Sequence, residues 1–108
     1  MFFSAPKIEQ LTGDQLMEAL QKKSPPFILD VRTPGEFRQG HIRGAVLIPV
    51  TELASRMSEV PTDREVVTVC HSGNRSMMAA RHLEKAGYQV KNLQSGMMRW
   101  PGPVERGV

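Results

Sequence analysis

Hydrophobic residues recur along this chain in two alternating rhythms. Short apolar runs at 27–31, 46–48, 66–69 and 88–93 have the length of strands, and residues 7–11 predict a shorter opening one. The run Phe27-Ile28-Leu29-Asp30-Val31 is almost continuously apolar, as in a strand covered on both faces. Between these runs the spacing turns helical: Leu16, Met17 and Leu20, then Leu53, Ala54 and Met57, then Met78, Ala79, Leu83 and Ala86. Start and stop signals agree with that division. Thr12 with Gln15 predicts a capping box, the first helix ends near Lys22-Lys23, and Pro25-Pro26 stops the chain. Pro34 suits the first position of a single helical turn over 34–39 that Gly40 ends, and Gly87 suits a helix C-cap. Thr51 is the expected cap of the Leu53 helix, which ends before Pro61. Residues 96–100 predict a short last helix whose Trp100 closes over the sheet, and 101–108 a loose tail. Strands alternating with helices predict an α/β fold, a mostly parallel sheet with helices on both faces.

One strand leads into different chemistry. Val66-Val67-Thr68-Val69 runs straight into Cys70, the single cysteine, and then into His71-Ser72-Gly73-Asn74-Arg75-Ser76 before the helical pattern resumes. A buried free cysteine is ordinarily a small hydrophobe. The loop argues otherwise here, because it brings backbone N–H groups and a helix N-terminus to one point, where they stabilise an anion such as a thiolate. Gly73 permits a positive φ or a close backbone approach, and Arg75 adds a fixed positive charge at the rim. Cys70 is the expected nucleophile. At the end of the 27–31 run, Asp30 and Arg32 fall where open α/β sheets gather functional groups. Asp30 is expected to hold the loop in shape, and Arg32 is a candidate for attracting anions.

The stretch from Cys70 to Ser76 resembles the active-site loop of rhodanese domains, which are sulfurtransferases. Asp30-Val31-Arg32-Thr33-Pro34-Gly35-Glu36-Phe37-Arg38-Gln39-Gly40-His41-Ile42-Arg43-Gly44-Ala45-Val46-Leu47-Ile48-Pro49 is similar to the family's upstream signature, and Leu93 to Trp100 to its closing segment. The chain departs in the last of these, with Ser95-Gly96 where two glycines are usual. The likeness spans roughly 8–100. It implies a three-layer α/β/α fold on a five-stranded sheet, one domain over 1–108 with its core at about 7–100. It also assigns His41 to the structural signature, so packing and hydrogen bonding are expected of it rather than base catalysis.

The chemistry implied is transfer of a sulfane sulfur from thiosulfate or a persulfide donor through a Cys70 persulfide to a thiophilic acceptor, cyanide or a thiol. The N–H groups of 71–76 are expected to stabilise the thiolate and then the persulfide. His71 and Ser72 either touch the incoming anion or point to solvent, and Arg75 neutralises charge and anchors the loop. Two rivals are weighed. Cysteine-arginine phosphatases place the arginine six residues after the cysteine; here it follows after five, and the smaller cradle suits one sulfur atom better than a phosphate. A persulfide relay, or a non-catalytic binding module acting with a protein partner, is the second; an intact cysteine loop disfavours the inert module but not the relay.

Bulk properties narrow the setting. The 108 residues are 40% hydrophobic and 23% charged, an ordinary balance for a globular domain. A lone cysteine marks no oxidising compartment, so a cytoplasmic location is expected. Met1-Phe2-Phe3-Ser4-Ala5-Pro6 is too short for a signal-peptide core, and no run is long enough for a membrane span. The net charge of +3 comes from scattered basic residues with no nucleic-acid motif, and suits small anionic substrates or an acidic protein partner. His41, His71 and His82 with Cys70 match no zinc spacing, His82 is expected on a wet helix face, and the methionines read as core filler. Neither metal nor cofactor is expected.

Overall fold

The computed structural model describes residues 7–108; the apolar hexapeptide 1–6, with its expectation about a signal peptide, lies outside the described residues. Five strands, β1 (Glu9–Leu11), β2 (Phe27–Asp30), β3 (Val46–Leu47), β4 (Val66–Val69) and β5 (Val90–Leu93), form one sheet in the order β1-β5-β4-β2-β3. Every pairing is parallel. The helices are α1 (Gly13–Ala19), α2 (Pro34–Gln39), α3 (Leu53–Arg56) and α4 (Asn74–Lys85), with 3-10 turns at Val50–Glu52, Met57–Glu59 and Gly96–Arg99.

Alternation along the central strands splits the core in two. Leu29, Val66 and Cys70 face α3 and α4 and pack with Leu53, Ala79 and Leu83. Ile28, Val67 and Val69 face the other way, onto Leu16 of α1, Ile42 and Leu93, with Met97 and Trp100 against their edge. These are the three layers expected.

Local chemistry sets the ends of the elements. Thr12 and Gln15 close a reciprocal capping box on α1, and Thr33 and Glu36 close a second on α2 behind Pro34. Gly87 follows α4 at φ 94°. The phase of α4 differs from that expected. Its buried stripe is Ser76, Ala79, Ala80 and Leu83, while Met78 is 68% exposed and Ala86 is exposed too. Ser76 belongs to the stripe because its hydroxyl has a partner inside, which turns the helix about one residue away from an all-apolar phase. Ala54 is likewise exposed, and Thr51 caps nothing: α3 is a single turn between two 3-10 turns. α1 ends at Ala19, before the lysines.

The segment expected as a loose tail is tied down. Glu105 pairs antiparallel with His41 through two backbone hydrogen bonds, of 2.9 and 2.8 Å, and Gly107 N–H donates to the Arg38 carbonyl at 2.9 Å. The indole N–H of Trp100 donates to the Pro103 carbonyl, which folds the tail back over the half-buried ring.

The topology also fixes where a site belongs. From β2 the chain moves outward to β3, and from β4 it moves the opposite way to β5. The crevice beyond the carboxyl ends of β2 and β4 is therefore the switch point of the sheet, the usual ligand position in open α/β folds.

Candidate active site

Cys70 is the residue immediately after β4, the middle strand, and its side chain is 1% exposed. The loop that follows curls back over the sulfur. Gly73 N–H donates to Cys70 Sγ at 3.0 Å, and Ser76 Oγ donates to it at 3.2 Å. Of the N–H groups expected to encircle the sulfur, Gly73's is the one hydrogen-bonded to it; the second donor is a side chain from the first turn of α4. Gly73 takes φ 104° in the N-cap position of α4, so the twelve-residue helix points its N-terminus at the loop. The Gly73 carbonyl is held as well: it accepts the Met77 N–H at 3.1 Å and an Asn92 Nδ2–H at 3.4 Å.

Asn92 belongs to a polar thread through the sheet. It is fully buried on β5, accepts from Thr68 Oγ1 at 3.1 Å and donates to Gln10 Oε1 at 3.1 Å. The strands β1, β5 and β4 thereby fix the turn at Gly73. Neither Thr68 nor Asn92 is recognisable as a supporting residue in the sequence, since each lies within an ordinary strand pattern.

A second turn braces the loop from behind. Met97 N–H donates to the Cys70 carbonyl at 2.8 Å, and Met98 N–H to that of His71 at 2.9 Å. The chain approaches so closely at Gly96, φ 55°, that a Cβ there would lie 2.6 Å from the His71 carbonyl oxygen. Ser95 precedes it at φ 63°, the one non-glycine residue with positive φ among the described residues.

Both arginines of the site already hold carboxylates. Arg75 forms a bidentate pair with Glu36 of α2, both bonds at 2.8 Å, which ties the cysteine loop to that helix. Arg75 chiefly, with the Thr33 N–H, holds the Glu36 carboxyl down at about 2 against the opposing effect of burial. Arg75 in turn keeps its proton more tightly, through Glu36 first. Glu36 thus caps α2 and ties it to the cysteine loop; the Thr33-to-Glu36 spacing shows the cap in sequence, but not a partner 39 residues away. Arg32 is buried and turned inward: Nε and Nη2 grip the Asp30 carboxylate at 2.8 to 3.1 Å, and Nη2 also donates to the Gly40 carbonyl at 2.8 Å. This geometry runs against the expectation that Arg32 attracts anions. Asp30, fully buried, also accepts the Arg32 backbone N–H at 3.1 Å, which shapes the turn after β2.

His41 is buried with its ring stacked on Phe37, centroids 3.7 Å apart, and Nδ1 is 2.8 Å from the Phe37 carbonyl. That contact makes Nδ1 the protonated nitrogen. His71, Ser72 and Asn74 are exposed on the loop. His71 lines a cleft of about 420 Å³ with Arg32, Glu36, Gly40, Met97 and Val104. A larger groove, about 930 Å³, runs past Lys22, Asp63 and Glu65. Glu65 precedes β4 whereas Cys70 follows it, so that groove lies at the opposite end of the strand.

Comparison with known proteins agrees with this arrangement. The rhodanese-like domain model matches residues 12–102. A sulfurtransferase of Allochromatium vinosum is 37% identical over 94 residues, 86% of this chain and 88% of its own. The thiosulfate sulfurtransferase GlpE of Shewanella oneidensis is 33% identical over 93 residues, 85% of this chain and 91% of its own. The crystal structure of a rhodanese-like domain protein from Staphylococcus aureus superposes with a TM-score of 0.86 at 30% identity, covering 94% of this chain and all of that one. With a cysteine loop at the switch point of a five-stranded parallel sheet, and a family model covering nearly its whole length, the chain belongs to the rhodanese-like sulfurtransferase family.

Proposed function

We propose that the protein moves a sulfane sulfur from thiosulfate or a persulfide to a thiophilic acceptor, with Cys70 as the carrier. The observation that carries this reading is the pair of donors on one sulfur, Gly73 N–H and Ser76 O–H, at the N-terminus of α4. Hydrogen bonds to an anionic acceptor are the stronger kind, so this cradle suits an attacking sulfur anion and then the persulfide anion. With thiosulfate, the Cys70 thiolate attacks the outer sulfur. The S–S bond of the donor breaks, sulfite leaves with the electron pair, and Cys70 carries a persulfide. The acceptor then attacks the terminal sulfur: cyanide becomes thiocyanate and the thiolate is restored. No electron is gained or lost overall.

Each remaining residue supports that exchange. Arg75 and Glu36 clamp the loop to α2, Asp30 and Arg32 hold the neighbouring turn, and His41 packs on Phe37 at the end of α2. His71 and Ser72 stand at the mouth, where a donor or acceptor arrives. Cytoplasmic location suits a carrier cysteine that must stay reduced. Among the described residues no helix is long and apolar enough to cross a membrane.

Intact mass after incubation with thiosulfate tests the proposal. The expected result is a gain of one sulfur atom on the wild type and none on Cys70→Ser, with removal by cyanide and release of thiocyanate. Loading only from a persulfide-bearing protein would favour a relay. Loading from neither donor would leave a binding module.

A further inference from the structure

The arginines near Cys70 are each paired with a carboxylate. A site built to draw in thiosulfate, a dianion, gains from uncompensated positive charge close to the nucleophile. Here Arg32 lies against Asp30 at 2.8 Å and Arg75 against Glu36 at 2.8 Å, so each guanidinium at the mouth is matched by a carboxylate. Once Cys70 ionises, these five groups sum to one negative charge. The pairs differ in one respect. Asp30 is fully buried at the end of β2, whereas the Glu36 side chain is 32% exposed and lines the cleft. Glu36 is therefore the carboxylate an incoming donor meets.

We propose, building on the sulfurtransferase reading, that Glu36 is a specificity-determining residue that disfavours dianionic sulfur donors and selects persulfides and other donors of low charge. Three observations converge on it. Glu36 takes one hydrogen from each terminal nitrogen of Arg75, so its carboxylate sits directly on the cation that a sulfonate would otherwise seek. It lines the same cleft as His71, the first residue of the loop. Cys70 itself is 1% exposed, so any donor reaches it with its terminal sulfur and leaves the rest of the molecule, a sulfonate head in thiosulfate, outside in the cleft beside Glu36. In the selected reaction the Cys70 thiolate attacks the terminal sulfur of R–S–SH. A bond forms between Sγ and that sulfur, the bond between the two donor sulfurs breaks, and the electron pair leaves on R–S⁻, which is then protonated. The persulfide passes to Cys70 without any oxidant or reductant.

Thiosulfate and methanethiosulfonate make a matched pair of probes, since a methyl group replaces one charged oxygen and both transfer an outer sulfur to cyanide. Both are assayed with wild type and Glu36→Gln. The amide still offers one oxygen to the Thr33 N–H or to Arg75, so the loop keeps part of its anchor while losing the charge. The wild type is expected to favour methanethiosulfonate in kcat/KM. Glu36→Gln is expected to raise kcat/KM for thiosulfate about three- to tenfold, to change the monoanion less, and to flatten the rise of the thiosulfate rate with added salt that a negative site gives the wild type. Glu36→Ala, which removes the anchor as well, is expected to lower both donors together. An unchanged donor ratio in Glu36→Gln, or equal losses on both donors, overturns the role of Glu36 while leaving sulfur transfer intact. Wild type that takes sulfur from neither probe nor from cysteine persulfide overturns both readings.

Discussion

Ser95 sits in a left-handed conformation that costs an L-residue about 1–2 kcal/mol. Its backbone N lies 3.4 Å from where a Cβ on Gly73 would be, so the turn it makes is pressed against the cysteine loop. Glycine there removes the strain but adds unfolded-state entropy worth roughly 0.5–1 kcal/mol. The difference leaves Ser95→Gly more stable by about 0.5–1 kcal/mol, read as a higher denaturation midpoint at unchanged slope. Gly96 has no such latitude, since a side chain there strikes the Cys70 and His71 carbonyls. The two positions look alike in the sequence, where the serine is only a departure from a glycine pair. Backbone dihedrals separate them: one residue is strained, the next is sterically enclosed.

Between elements, the decisive contact is the Glu36–Arg75 pair, which joins the start of α2 to the start of α4. Glu36 has its folded-state pKa depressed to about 2 from about 4.5. The pair therefore contributes stability in full above about pH 4.5, and loses it as pH falls through about 2. Both side chains are about one-third exposed, so solvent screening keeps the contribution near 1 kcal/mol or less. Stability of the wild type is expected to decline from pH 5 to pH 2 more than that of Glu36→Gln, measured by denaturant titration at each pH. The elements themselves were largely legible in the sequence: the strand runs, the capping box of α1 and the Gly87 stop appear where the pattern put them. The pairing of Glu36 with Arg75 was not, because it depends on β2 and β4 lying side by side. The same limit explains Met78 and Ala86. Hydrophobic periodicity assigns the buried face by apolarity alone, and α4 is phased instead by a serine bonded to a sulfur.

For the whole molecule, the tail 101–108 packs along the end of α2 and the segment that follows it. Its contacts include three backbone hydrogen bonds onto Arg38 and His41, together with Val104 at the rim of the cleft. Polar, proline- and glycine-rich sequence gives no sign of this, since backbone pairing leaves no side-chain pattern. Ending the chain at Pro101 is expected to lower stability by about 1–2 kcal/mol, offset in part by the entropy regained. It is also expected to widen the cleft, seen as faster amide exchange at His41 and a higher KM for a small donor. Location of the site at the switch point followed from strand order, which no single segment encodes.

The position of Cys70 inside the core has a consequence for how this protein tolerates change. Its sulfur packs in the same cluster as Leu29, Leu53, Ala79 and Leu83. In a protein whose reactive group hangs from a surface loop, packing residues drift while the chemistry stays still. Here a substitution at Ala79 or Leu83 shifts α4, and with it the serine and the glycine turn that hold the sulfur. Packing and reactivity are thus read out by the same few side chains, and neither can be tuned by mutation without moving the other.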